Sequence, residues 1–250
     1  MKKLYLIGNH KMNLSYAELD KYFDNLVEAV KETNNVVGVC LPSCYLDLAK
    51  YKLEGSTILF GAENCYHKDS GAFTGEISAK MLTDFNCDLV IVGHSERRTL
   101  FGETDVDVNL KVKKALEFGL MPIVCFGETL EERNSNKQME IVKTQVMASL
   151  EGIDKEDLKR IIFAYEPVWA IGTGLTATSE QAEEIIAYAK SLITDKYGVN
   201  ADDIIMLYGG SLKPNNAYEI LSKTSINGGL IGGACLKVED FKMIFDTIVE

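Results

Sequence analysis

Residues 161–198 read IIFAYEPVWAIGTGLTATSEQAEEIIAYAKSLITDKYG, and this stretch holds the repeating unit of the fold. Ile161 to Tyr165 is a continuous apolar run, the pattern of a parallel strand covered on both faces. Pro167 restrains Glu166 to extended backbone and marks the end of that strand. Further on, Ala182, Ile185, Ile186, Ala189 and Ile193 fall on one helical stripe. Thr178 and Gln181 stand at capping-box spacing ahead of it, and Gly198 closes it. The unit is strand, loop, helix.

The same unit recurs outward in both directions. Strand-like runs lie at Leu4 to Gly8, Val36 to Leu41, Thr57 to Gly61, Leu89 to Val92, Met121 to Cys125, Ile204 to Tyr208 and Gly229 to Ile231. Helical pattern fills the intervals, most plainly in Leu19, Tyr22, Phe23, Leu26, Val27 and Val30. No Pro-, Gly- or Ser-rich linker interrupts the chain, so residues 1–250 are read as one α/β domain. Eight repeats of strand and helix close most simply into a (β/α)8 barrel. A doubly wound open sheet is the alternative, since strand order is not written in a single sequence.

Composition narrows the partners. With 46% hydrophobic and 25% charged residues in 250, the chain can bury roughly 70–75% of its unfolded surface, enough to need no disulfide or structural metal. Twenty-six basic residues against 37 acidic give a net charge of −11, which opposes nucleic acid and anionic membrane as partners. An anionic substrate would then need a site that is a local exception. Only Leu4-Tyr5-Leu6-Ile7 follows Met1-Lys2-Lys3, far short of the roughly 7–15 apolar residues of a signal core. Six scattered cysteines without a C-x-x-C pair read as reduced thiols, and the expected location is cytoplasmic.

In a parallel barrel, residues at the C-terminal strand ends converge on one face, where catalysis takes place. Asn9, His10 and Lys11 follow the first run; His94, Ser95 and Glu96 follow the fourth; Glu166 follows the sixth. Singly, each has a plain structural reading: a solvated lysine, a capping histidine, a surface carboxylate. Together at three strand ends they make a base, a proton donor and a cation. Gly209-Gly210-Ser211 and Gly232-Gly233 follow the last two strands, where barrels hold phosphate on backbone N–H groups. Neutral N–H donors reconcile an acidic protein with an anionic substrate. Gly172-Thr173-Gly174-Leu175-Thr176-Ala177 fits G-x-G-x-x-A but is not directly at a strand–helix turn, so it is no dinucleotide fingerprint. The three histidines lack metal-ligand spacing; no metal and no cofactor are expected.

These residues resemble a known family. Ala164-Tyr165-Glu166-Pro167-Val168-Trp169-Ala170-Ile171-Gly172-Thr173-Gly174 is similar to the active-site signature of the triosephosphate isomerases. The likeness extends through Gly8-Asn9-His10-Lys11-Met12-Asn13, Gly71-Ala72-Phe73-Thr74-Gly75-Glu76, Val92-Gly93-His94-Ser95-Glu96-Arg97-Arg98, Gly127-Glu128-Thr129, Tyr208-Gly209-Gly210-Ser211 and Gly232-Gly233-Ala234. It implies a TIM barrel that interconverts dihydroxyacetone phosphate and D-glyceraldehyde 3-phosphate through an enediolate, without cofactor, in glycolysis and gluconeogenesis. By that resemblance Glu166 is the base, His94 the electrophile, and Asn9 and Lys11 stabilise the enediolate, with Glu96 the acidic neighbour of Lys11. Gly172, Ser211, Gly232 and Gly233 hold the phosphate, with residues 170–174 as a lid. The resemblance also implies a homodimer in which the loop around Thr74 reaches the partner's site. A helix beginning at Ser95 keeps His94 neutral, a tuning for which this family is itself the reference case. His10, Glu63 and Asn227 depart from the usual Trp, Gln and Asp. A non-catalytic sugar-phosphate-binding barrel and another phosphate-barrel enzyme are the alternatives; binding alone requires neither base nor proton donor.

Overall fold

The computed structural model describes residues 2–170, 176–247 and 249. Eight parallel strands form it: β1 (Tyr5–Asn9), β2 (Val36–Leu41), β3 (Leu59–Ala62), β4 (Leu89–Val92), β5 (Met121–Phe126), β6 (Ile162–Tyr165), β7 (Ile205–Tyr208) and β8 (Gly228–Ile231). They pair in chain order, and β1 also pairs with β8, so the sheet closes and has no free edge. The open doubly wound alternative is excluded. Five of the strands end one residue later or begin one or two later than the apolar runs suggest, and β8 begins one earlier. Pairing is the reason: Asn9 is in register with Cys40, and Ala62 with both Leu41 and Val90, although neither register is visible in composition.

Strand periodicity divides the core into two layers. Ile7, Cys40, Leu89, Ile91, Ile123, Cys125, Ile162, Ala164, Leu207 and Leu230 fill the barrel interior. The residues alternating with them, such as Leu6, Val39, Val90, Val124, Phe163 and Met206, face outward into a second apolar layer. Helices cover that layer with Phe23, Val112, Val146, Ile186 and Phe241, all fully buried. Each such side chain contributes roughly 1.5–3 kcal/mol on leaving water. The helix Ser179–Tyr197 carries the capping box of Thr178 with Gln181, and Gly198 closes it at φ 59°.

The same alternation aims the mouth of the barrel. Continuing two residues beyond Ile7, Ala164, Leu207 and Leu230 gives Asn9, Glu166, Gly209 and Gly232. Small residues let neighbouring strands approach: a Cβ at Gly61 would stand 1.8 Å from the Leu89 carbonyl oxygen. At Gly93 the chain turns with φ 71°, which breaks the alternation and brings the following His94 over the mouth. Asn227, at the foot of β8, accepts from Lys190 Nζ at 3.1 Å and from the Met206 N–H at 3.0 Å. A neutral amide thus occupies a place where a carboxylate would form an ion pair.

His10 alternates outward and is fully buried. Its ring meets Tyr22 edge-on with centroids 4.8 Å apart, and neither ring nitrogen has a hydrogen-bond partner among the described residues. Burial pushes its pKa down to about 4. Below pH ~6.5 the unfolded chain takes up a proton that the folded chain refuses, so His10 costs stability as pH falls toward 4. His10→Phe should leave thermal unfolding little changed at pH 8 and raise the midpoint progressively from pH 6.5 to 4.5. Parallel melting curves across the range would discount this reading of His10.

Candidate active site

Glu166 is 2% exposed at the end of β6, and both of its carboxylate oxygens are engaged. Oε1 lies 2.8 Å from His94 Nε2, and Oε2 accepts the Ser95 N–H at 2.7 Å. On the other side of the ring, His94 Nδ1 accepts the Glu96 N–H at 3.2 Å. A nitrogen that accepts carries no proton, so the ring is the neutral Nε2–H tautomer, donating to Glu166. Burial lowers the His94 pKa, but contact with Glu166 raises it by more, so the net direction is upward. That upward pull comes from a residue across the mouth of the barrel, while the helix Ser95–Phe101 begins next to the ring. Glu166 itself is raised by burial and lowered further by His94 and the Ser95 N–H, leaving it an ionised, weakly basic carboxylate here.

Lys11 follows β1 in a left-handed conformation, φ 51°, which costs energy for a non-glycine residue and aims its side chain back across the mouth. Its Nζ stands 2.6 Å from Glu96 Oε1, and its N–H donates to Asn9 Oδ1 at 3.1 Å. Asn9 is buried beside it.

One cavity of about 720 Å³ gathers Asn9, Lys11, His94, Glu96 and Glu166 with Gly209 to Ser211 and Gly232 to Ala234. The short 3-10 helix Gly233–Leu236 begins at this wall. A Cβ on Gly209 would come within 2.9 Å of Glu166 Cγ, so glycine there leaves the base its room. The structure therefore brings Asn9, Lys11, His94, Glu96, Glu166, Ser211, Gly232 and Gly233 to one place. Of the proposed lid at 170–174, Ala170 is buried at the end of the 3-10 helix Val168–Ala170, while Gly172 and the rest lie outside the described residues. Thr74 is elsewhere, exposed on a loop closed at its base by the Tyr66 N–H donating to Ile77 O and braced by Phe73 against Tyr66. No group of His, Cys, Asp and Glu able to hold a metal is found among the described residues.

Sequence reasoning gave no role to several supporting residues. Fully buried Glu128 takes hydrogen bonds from Tyr165 Oη at 3.1 Å, Trp169 Nε1 at 2.8 Å and Arg133 Nη1 at 2.8 Å, pinning the segment after Glu166. Arg98 Nε donates to Gly93 O at 2.8 Å, while Glu103 Oε1 accepts the Gly93 N–H at 2.9 Å. Together they hold the turn that presents His94. Nothing in the spacing of Glu128, Arg98 or Glu103 distinguishes them from surface charges; burial does.

The sequence profile of the family described as Triosephosphate isomerase matches residues 4–248. The chain belongs to the triosephosphate isomerase family. It is 50% identical over 251 residues to the triosephosphate isomerase of Phocaeicola vulgatus, covering 99% of both chains. It is 46% identical over 242 residues to that of Alkaliphilus oremlandii, covering 96% of this chain and 98% of the relative. The crystal structure of triosephosphate isomerase from Bartonella henselae superposes with a TM-score of 0.89 at 39% identity, covering 98% of each chain. The enzyme is an isomerase of triose phosphates.

Against that triosephosphate isomerase background Glu63 is an electrostatic oddity. Its Oε1 is buried without a hydrogen-bond partner among the described residues. Burial raises its pKa to about 8, opposed by the Lys11 N–H and charge and reinforced by Glu96. The folded chain thus keeps a proton that the unfolded chain releases near pH 4.5, and stability drains away as pH climbs from 4.5 to 8. Glu63→Gln should raise the unfolding midpoint at pH 8 and make almost no difference at pH 4.5. A constant offset at all pH values would assign the effect to packing.

Proposed function

We propose that this chain interconverts dihydroxyacetone phosphate and D-glyceraldehyde 3-phosphate through an enediolate, with Glu166 and His94 as the proton-transfer groups. The contact that carries the reading is the 2.8 Å approach of His94 Nε2 to Glu166 Oε1 on the cavity wall. A base and a neutral donor beside neutral phosphate-binding turns suit proton transfer next to a carbonyl.

Substrate entering the cavity displaces the carboxylate from His94 and the Ser95 N–H. Those contacts lower its pKa, so leaving them makes it a stronger base when it faces carbon. Glu166 removes a proton from the carbon beside the carbonyl and returns it to the neighbouring carbon. His94 Nε2–H polarises the carbonyl and moves the proton between the two oxygens. Lys11 and Asn9 balance the negative charge of the enediolate, and Glu96 fixes the position of Lys11. Backbone N–H groups at Ser211, Gly232 and Gly233, with Gly172 from the lid, hold the phosphate. A covered site keeps the enediolate phosphate from eliminating its phosphate. The reaction needs no cofactor, and residues 1–250 act as one catalytic domain.

The assembly we infer is a homodimer. Met12, Leu100 and Phe101 are exposed large apolar side chains, Met12 at 95%. Beside the Lys11–Glu96 pair lies a second hollow of about 300 Å³, lined by Met12, Pro42, Glu63, Arg97 and Phe101. The partner's Thr74 loop would fill it, with its base already closed and its tip exposed. No helix among the described residues is long and apolar enough to cross a membrane, and all six cysteines are free thiols, which supports a place in the cytoplasm.

A coupled assay that follows NADH loss as D-glyceraldehyde 3-phosphate becomes dihydroxyacetone phosphate tests the reading. Glu166→Asp withdraws the carboxylate by about one methylene and should lower kcat by ~10²-fold. A kcat within about twofold of wild type would remove Glu166 from the mechanism. Lys11→Met keeps most of the stem and removes the charge, so turnover and affinity for a phosphorylated enediolate mimic should both fall. Unchanged affinity would make Lys11 a solvated surface charge.

A further inference from the structure

The two oxygens of Glu166 face different surroundings. Oε1 meets His94 in the substrate cavity, while Oε2 meets the Ser95 N–H. Ser95 belongs to the wall of a second hollow, of about 90 Å³. Gly93, Ser95, Phe126 and Gly127 are its buried end, and it reaches the surface at Thr99 and Thr129, both exposed. Among the described residues Glu166 alone lines both this hollow and the substrate cavity. The carboxylate is the partition between them.

The long polar side chains of that wall are tied down. Arg98 donates to Gly93 O at 2.8 Å, Asp105 Oδ1 at 2.6 Å and Cys125 O at 3.3 Å. Gln145 accepts the Gly127 N–H at 2.8 Å and donates to Gly127 O at 3.2 Å. The hollow therefore keeps its shape, with room for about three waters at ~30 Å³ each. Arg98 and Gln145 retain spare donors and lone pairs to hold them. On the other side of Glu166 the situation is reversed, because docked substrate fills the cavity and the lid covers it. A proton taken from carbon has no solvent path there.

We propose that the rear hollow is a water-filled proton port, through which Glu166 exchanges the proton taken from carbon with bulk solvent while the enediolate stays bound. The carboxyl O–H bond to the substrate-derived proton breaks as that proton passes to the first water. A solvent proton delivered along the same waters bonds to the carboxyl in its place. The carboxyl is neutral before and after, so no charge accumulates in the hollow. Return of the new proton to the neighbouring carbon leaves solvent hydrogen in the product. The proposal deepens the isomerase reading and rests on it.

The test isomerises D-glyceraldehyde 3-phosphate in D2O with the full chain. Proton NMR at low conversion reads the fraction of dihydroxyacetone phosphate that keeps substrate hydrogen at C1. Thr99→Leu narrows the mouth from the helix Ser95–Phe101, and adding Thr129→Leu narrows it from the start of the helix Leu130–Asn134. The retained fraction should rise by about twofold or more in the double variant, since losing one water interrupts a file of about three. kcat should stay near the wild-type value, because neither threonine touches the substrate cavity. Thr129 caps its helix, so melting curves accompany the double variant; should it fail to fold, Thr99→Leu at its exposed position decides alone. An unchanged retained fraction overturns the proposal and places exchange at the substrate side. So does a rise matched by a fall in kcat, which reports a displaced base, and so does complete retention by the wild type. An inactive wild-type chain would defeat the isomerase reading instead, and the two failures are therefore distinguishable.

Discussion

A closed parallel barrel allows every second side chain of each strand to face its axis, and the rest of this molecule is arranged around that constraint. The interior residues Ile7, Ala164, Leu207 and Leu230 are followed in phase by Asn9, Glu166, Gly209 and Gly232. One periodicity therefore fills the core and aims the mouth. Where the chemistry needs a residue out of phase, the backbone changes conformation: Gly93 turns with φ 71° to present His94, and Lys11 accepts φ 51° to cross the opening. Glycines at the crowded points make room. A Cβ on Gly127 would lie 1.8 Å from the Glu166 carbonyl oxygen, so the end of β5 and the position of the base are set together.

Charge inside this frame is handled locally. Glu166 is ionised in a buried place because His94 and the Ser95 N–H both point at it. Glu128 is buried because Tyr165, Trp169 and Arg133 converge on it. Glu63 and His10 are different, since each holds polar atoms in the interior without a partner among the described residues. Their burial pushes one pKa up and the other down, so acid and alkali each erode stability through a different residue. His10 lies between Asn9 and Lys11, and Glu63 faces the Lys11 N–H and charge. The segment that carries two site residues thus adjoins two side chains with buried polar atoms left unpartnered among the described residues.

Local sequence carries the repeat of strand and helix, the capped helix that ends at Gly198, and the strand ends that bear Asn9, Lys11, His94 and Glu166. Those features are legible because they depend on neighbours close in the chain: apolar runs, capping spacing, and the residue directly after a strand. Strand order was not legible, since pairing of β1 with β8 joins segments more than two hundred residues apart. Distance along the chain also hid the upward pull of Glu166 on His94 and the support given by Glu128. Hydrogen bonds and fields act through space, and only closure of the barrel brings these groups within a few ångströms of one another. A carboxylate's identity is written in the chain, but whether it is solvated, paired or stranded is decided by what the fold places around it.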